Sequence, residues 1–174
     1  MNPIDAILME LEQEASTTAR VLERVPDAHL AWKPADKSMS LGQLAMHIAD
    51  CPRQIAKMVE ADTYHADPAS FDLLPQAASQ AEVMKTHTDA VAYTKNYLSG
   101  LKPEQLGVTC RLMMGDKELM AYPRGAIIRL IMLNHWYHHR GQMSVYLRLL
   151  GVPVPSIYGP SADENPFMKG AGAS

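Results

Sequence analysis

The chain has little cysteine, few aromatic residues, no strong charge of either sign and no long apolar run. Each shortage removes a class of protein. Two cysteines, Cys51 and Cys110, make no disulfide framework. Without an apolar run of about 18 residues, no transmembrane helix is expected. A net charge of −3 and a pI near 6.1 lack the concentrated basic face that a nucleic-acid binder needs. The N-terminus, with Glu10, Glu12 and Glu14 close behind it, has neither the basic nor the apolar region of a signal peptide, so the cytoplasm is the expected compartment. There is no P-loop, no Gly-x-Gly-x-x-Gly and no Gly-x-Ser-x-Gly, so phosphate, dinucleotide and serine-nucleophile chemistry lack a motif. His-Glu-x-x-His is missing, and with it the zincin glutamate base. Glu-x-x-His is missing as well, which disfavours a di-iron carboxylate bundle.

What is present is ordinary globular composition, 47% hydrophobic and 20% charged over 174 residues, enough chain for one core. Aromatics stand at 6% while methionine occurs twelve times, which reads as a core filled with adaptable side chains rather than a specialised pocket wall.

Four stretches carry helical periodicity. Asn2 as cap and Pro3 at the first helical position open a helix with Ile4, Ile7, Leu8, Leu11, Ala15, Thr18, Leu22 and Val25 on one face, ending before Pro26. A loop pinned by Trp32, which reads as packing, leads to Ser40 and Gln43, a capping box that opens the second helix. Its stripe runs Leu41, Leu44, Ala45, Ile48, Ile55 and Val59, with His47 at the edge. Pro52 is expected to kink or break it one turn after His47, freeing a carbonyl near Ile48. Glu60–Gln76 reads as a long connection. Ser79–Leu98 is the third helix, with His87 at the centre of its stripe and Gly100 as its stop. Val108–Met120, broken at Gly115-Asp116, is either a hairpin or an irregular loop. Pro123 opens the last helix and Gly151 closes it. The expected fold is therefore all-α, a four-helix bundle with long connections. It occupies residues 1–158 as a single domain, and 159–174 form an extended C-terminal tail.

The last helix, Ala126–Leu150, is the informative one. Ile128, Ile131, Met132, His135, His139, Gln142, Met143, Tyr146 and Leu149 fall on one stripe at spacings of three and four. His135 and His139, one turn apart, converge on one point, and a divalent cation satisfies both while keeping both neutral. The plainer alternative is a pair of core histidines with ordinary hydrogen-bond partners. A well-held ion needs a third ligand, and spacing alone leaves both His47 and His87 as candidates. Cys51, four residues after His47, is a weaker candidate because Pro52 distorts the backbone beside it. His29 and His65 belong to exposed loops. His138, at the stripe's border, is an outer group or a solvated one. Gln142 faces the stripe and is placed to orient a histidine or a substrate, whereas Arg140 points away into a structural pair.

Two segments resemble the histidine motifs of DinB/YfiT-like metalloenzymes. Ser40-Leu-Gly-Gln-Leu-Ala-Met-His47-Ile is similar to the first. Leu133-Asn-His135-Trp-Tyr-His-His139-Arg-Gly-Gln142 is similar to the second. Trp32-Lys-Pro34 and the Gly151–Gly159 segment also agree, in the right order along nearly the whole chain. The resemblance implies a four-helix bundle, often dimeric, whose metal ligands are His47, His135 and His139. That settles the third ligand against His87. It also implies thiol-dependent transferase or isomerase chemistry with bacillithiol, mycothiol or glutathione, or else hydrolysis. Zinc or nickel suits three neutral imidazoles best, with iron compatible. The leading expectation is a divalent-metal-dependent enzyme acting on a small molecule, a low-molecular-weight thiol first, as a homodimer with no nucleic-acid or membrane partner. Its rival is a non-catalytic metal-binding or stress-sensing bundle.

Overall fold

A computed structural model of the chain describes residues 2–68 and 74–168. Helix α1 (Pro3–Leu22) opens as its sequence dictates: Asn2 Oδ1 accepts from the Ile4 amide at 3.0 Å, and Pro3 sits where no amide is needed. Helix α2 (Leu41–Glu60) begins with the full capping box. The Gln43 amide donates to Ser40 Oγ at 3.1 Å, and the Ser40 amide donates back to Gln43 Oε1 at 2.9 Å. Helix α3 (Gln80–Ser99) is capped by Ser79. α2 packs on α3 and on the last helix, and α1 packs on the same two. The two sequential helices α1 and α2 thus lie on a diagonal of the bundle.

Two expectations about α2 part company. The helix is not broken at Pro52 but continues as one element to Glu60. The missing amide does free the Ile48 carbonyl, as expected, and that oxygen accepts from Trp136 Nε1 at 2.8 Å. A partner from another helix takes the place of the lost helical bond, so the rod stays intact.

The all-α expectation is corrected by a small three-stranded sheet. Strand β1 (Thr63–His65) pairs parallel with β2 (Thr109–Met114), which pairs antiparallel with β3 (Lys117–Pro123). Val108–Met120 is therefore a hairpin, and it runs on to Pro123. Gly115 takes φ 59° at the first of its two loop positions, which a side chain would resist. The register shifts between Leu112 and Met113, leaving Leu119 as the extra residue of a bulge. β1 lies inside the stretch read as a plain connection. Three exposed residues beside Pro-rich chain carry no strand signature of their own; pairing with β2 makes them a strand. Positions 69–73 of that connection lie outside the described residues.

The last helical rod consists of α4 (Arg124–Ile127), a π-helical turn (Ile128–Leu133) and α5 (Asn134–Leu149). Its widened turn is marked by the Asn134 amide, which donates to the Arg129 carbonyl five residues back. A π turn inserts about one residue relative to α geometry, so every later side chain is rotated by one position. The buried stripe accordingly runs Ile128, Met132, Leu133, Trp136, Arg140, Met143 and Leu147. Leu149, expected inside, is 60% exposed, and Arg140, expected to point away, is 1% exposed. Arg140 meets Glu14 of α1 at 2.6 Å, donates to Thr18 Oγ1 at 3.1 Å, and contacts the Tyr158 hydroxyl. Tyr158 in turn donates to Glu14 Oε2 at 2.7 Å. The structural pair expected of Arg140 exists, but it is buried.

After Gly151, at φ 71°, the chain folds back over α1 and α5. Arg20 grips Glu164 at 2.6 Å, and Arg148 grips Asp163 at 2.5 Å. Positions 169–174 of the expected tail lie outside the described residues. Among the described residues, no helix is long and apolar enough to cross a membrane.

Candidate metal centre

The rotation imposed by the π turn decides where the histidines lie. His135 and His139 do not occupy the middle of the core stripe. They sit at its edge, His139 buried and His135 half-buried, facing the half-buried His47 on α2. The nitrogens that His47, His135 and His139 can offer all lie within 4.8 Å of one another. The three side chains thus form a group that could hold one metal ion. The rings meet edge-on, with centroids 4.4 Å apart for His47 and His139, 4.3 Å for His135 and His139, and 5.2 Å for His47 and His135.

His47 Nε2 and His135 Nε2 approach to 2.9 Å. Two bare lone pairs at that distance repel, so either one ring carries its proton there or both aim at a cation. His139 is held differently. Its Nδ1 donates to Gln142 Oε1 at 2.7 Å, which fixes the proton on Nδ1 and leaves Nε2 as a donor for an ion. Gln142 is held in turn, its amide nitrogen donating to His138 Nε2 at 3.1 Å. Thus Gln142 orients a histidine, and His138 is the outer group that steadies the glutamine.

Electrostatics favours uncharged rings. Burial, then the neighbouring His139 and His135, push the His47 pKa down to about 4. Burial also brings His139 down to about 4, against an opposing pull from Gln142. His135 is lowered by burial and by His138. Near neutral pH all three are neutral imidazoles, the form that binds metal. Among the described residues the donor set of the cluster is nitrogen only. The residues present can hold a metal ion.

The other candidates lie elsewhere. His87 is buried with Nε2 3.0 Å from the Ala15 carbonyl, its ring tilted against Trp136 at 5.8 Å between centroids. Cys51 is buried, its thiol pushed up to about 12 by burial and by Asp50, with Sγ 3.9 Å from the Met132 carbonyl. Neither belongs to the cluster. His29 and His65 are exposed, the latter on β1. Trp32 packs edge-on against Tyr146 at 5.6 Å.

Reading the sequence missed the part of Trp136, which follows His135 directly in the chain and donates to the Ile48 carbonyl. Its signal was an indole N–H on an apolar stripe, in need of an acceptor, in a chain where Pro52 leaves one free. Glu14 was missed as well, although an acid next to Ala15 on an apolar face calls for a buried cation.

Comparison with known proteins agrees with this architecture. The chain is 26% identical to the uncharacterized protein YrdA of Bacillus subtilis over 163 residues, covering 92% of this chain and 91% of that one. It is 26% identical to YjoA of the same organism over 142 residues, covering 78% and 83%. Among solved structures it resembles a DinB-like protein from Bacillus cereus, with TM-score 0.73, 22% identity, and 91% and 100% of the two chains covered. YjoA itself superposes with TM-score 0.64 at 23% identity, over 84% and 92%. The DinB family model matches residues 1–166, and the chain belongs to the DinB family.

Proposed function

We propose that His47, His135 and His139 bind one divalent metal ion, and that the protein is a metal-dependent enzyme whose first-choice substrate is a low-molecular-weight thiol. The observation that carries this reading is the cluster itself: three neutral imidazoles from two helices, two of them half-buried rather than sealed. Three protein ligands leave a position for an exchangeable group, as in catalytic rather than structural sites. A divalent ion there supplies a Lewis acid that brings the pKa of water or a thiol toward neutrality. Gln142 fixes the tautomer of His139, and His47 and His135 bring their Nε2 atoms together at 2.9 Å. With no carboxylate in the cluster among the described residues to serve as a base for water, transfer of a thiol, which ionises more readily, is favoured over hydrolysis. Zinc or nickel suits the donor set, and iron is compatible with it. The same reading places the protein in the cytoplasm as a homodimer, which analytical ultracentrifugation tests.

Elemental analysis of untagged protein should give one metal per chain. His135→Ala should abolish it with helix content largely kept, as judged by circular dichroism. Unchanged metal content in that variant would overturn the assignment. Azide or a small thiol added to the Co2+ form should perturb its visible spectrum. An inert spectrum would favour the non-catalytic metal-binding or sensing alternative.

A further inference from the structure

One hydrogen bond between the two segments that bring the histidines together uses a carbonyl that a proline leaves free. Pro52 lies inside α2 and has no amide to give to Ile48, the residue four before it. Its ring crowds the Ile48 carbonyl and turns it outward from the helix. The oxygen is taken by Trp136 Nε1 at 2.8 Å, from an indole that is 1% exposed. Ile48 follows His47 directly, and Trp136 follows His135 directly. This buried bond therefore ties the backbone beside one histidine of α2 to the side chain beside one histidine of α5. A second, weaker contact reinforces it, Cys51 Sγ to the Met132 carbonyl at 3.9 Å. Each joins the same turn of α2 to the same turn of the last rod.

We propose that Pro52 and Trp136 are positioning residues for the metal centre: the proline creates an acceptor and the indole fills it, and the bond sets the separation of His47 from His135 and His139. The proposal rests on the metal reading above. A proline in a helix interior normally weakens the helix, so its place here is explained by what it does to the neighbouring segment rather than to its own. Pro52→Ala supplies a helical amide that reclaims the Ile48 carbonyl. Trp136→Phe removes the donor and keeps most of the packing.

The test is titration with Zn2+ and Co2+ of the wild type, both single variants and the double variant, with metal-free thermal stability measured alongside. Each single variant should weaken metal binding about 10–100-fold, as loss of a group that orients a ligand does. Because both changes break one bond, the double variant should bind no more weakly than the worse single one. The Co2+ absorption bands should shift in all three. Pro52→Ala should weaken binding without lowering the metal-free melting temperature, a separation that a merely structural residue would not give. If the wild type binds no metal, the underlying reading falls and this inference with it. If the wild type binds and Pro52→Ala binds equally well, or if the two losses add, the positioning role alone is overturned. Should Trp136→Phe fail to fold, Pro52→Ala decides the matter by itself.

Discussion

α2 and the last rod each contribute histidines to the site and each contain a helical irregularity, with opposite outcomes. In α2 the irregularity is conspicuous in the sequence, a mid-helix proline, yet the helix runs unbroken from Leu41 to Glu60. In the last rod no proline or glycine marks the π turn at Ile128–Leu133, yet it re-aims every side chain that follows. A visible defect with a partner for its freed carbonyl leaves its own helix continuous. A silent one-residue insertion moves a histidine pair from the core to its edge and carries an arginine inside.

The comparison is broken most directly by removing the insertion. Deleting Leu130, which is half exposed within the π turn, should return the rod to α register and turn Arg140 away from Glu14. Breaking a buried ion pair costs about 3–5 kcal/mol, and displacement of Trp136 adds to it. The deletion should therefore unfold the domain or abolish metal binding, as urea denaturation and metal analysis would show. A stable variant that keeps its metal would mean the π turn does not set the face.

A milder form of the same test keeps the register and removes the cation. Arg140→Ala leaves Glu14 buried without its cation, with only the Tyr158 hydroxyl as donor, and should destabilise by about 3–5 kcal/mol in urea titrations. Gln142→Leu is smaller still. It frees His139 from its fixed tautomer and should weaken metal affinity about 10–100-fold with little change in melting temperature.

The smallest effect concerns His87, which the π turn does not move. Burial lowers its pKa against a partial opposing effect from the Ala15 carbonyl, and Nδ1 is buried without a partner. The unfolded chain then takes up a proton below about pH 6.5 that the folded chain refuses. Stability is lost as pH falls through that value, and His87→Gln should flatten the slope relative to wild type. An unchanged slope would show that His87 is not among the groups responsible.

How much of this was legible follows from the same contrast. Caps are local, so Asn2 and Ser40 with Gln43 marked two helix starts in advance, and Gly100 and Gly151 two ends. His135 and His139 were nameable from their spacing, whereas only the motif resemblance chose His47 over His87. What could not be read depended on distant partners. β1 is a strand only beside β2, the Ile48 carbonyl finds its donor 88 positions along the chain, and the phase of α5 is set by a turn with no signature in its residues.

His47 and His135 are likewise 88 positions apart. On the proposed assignment an ion between them acts as a cross-link, pinching off a loop that covers half the chain. Such a tether restricts the denatured ensemble as a disulfide would, in a protein whose two thiols are both free. Loading the ion would then govern how long the fold survives as well as what it does.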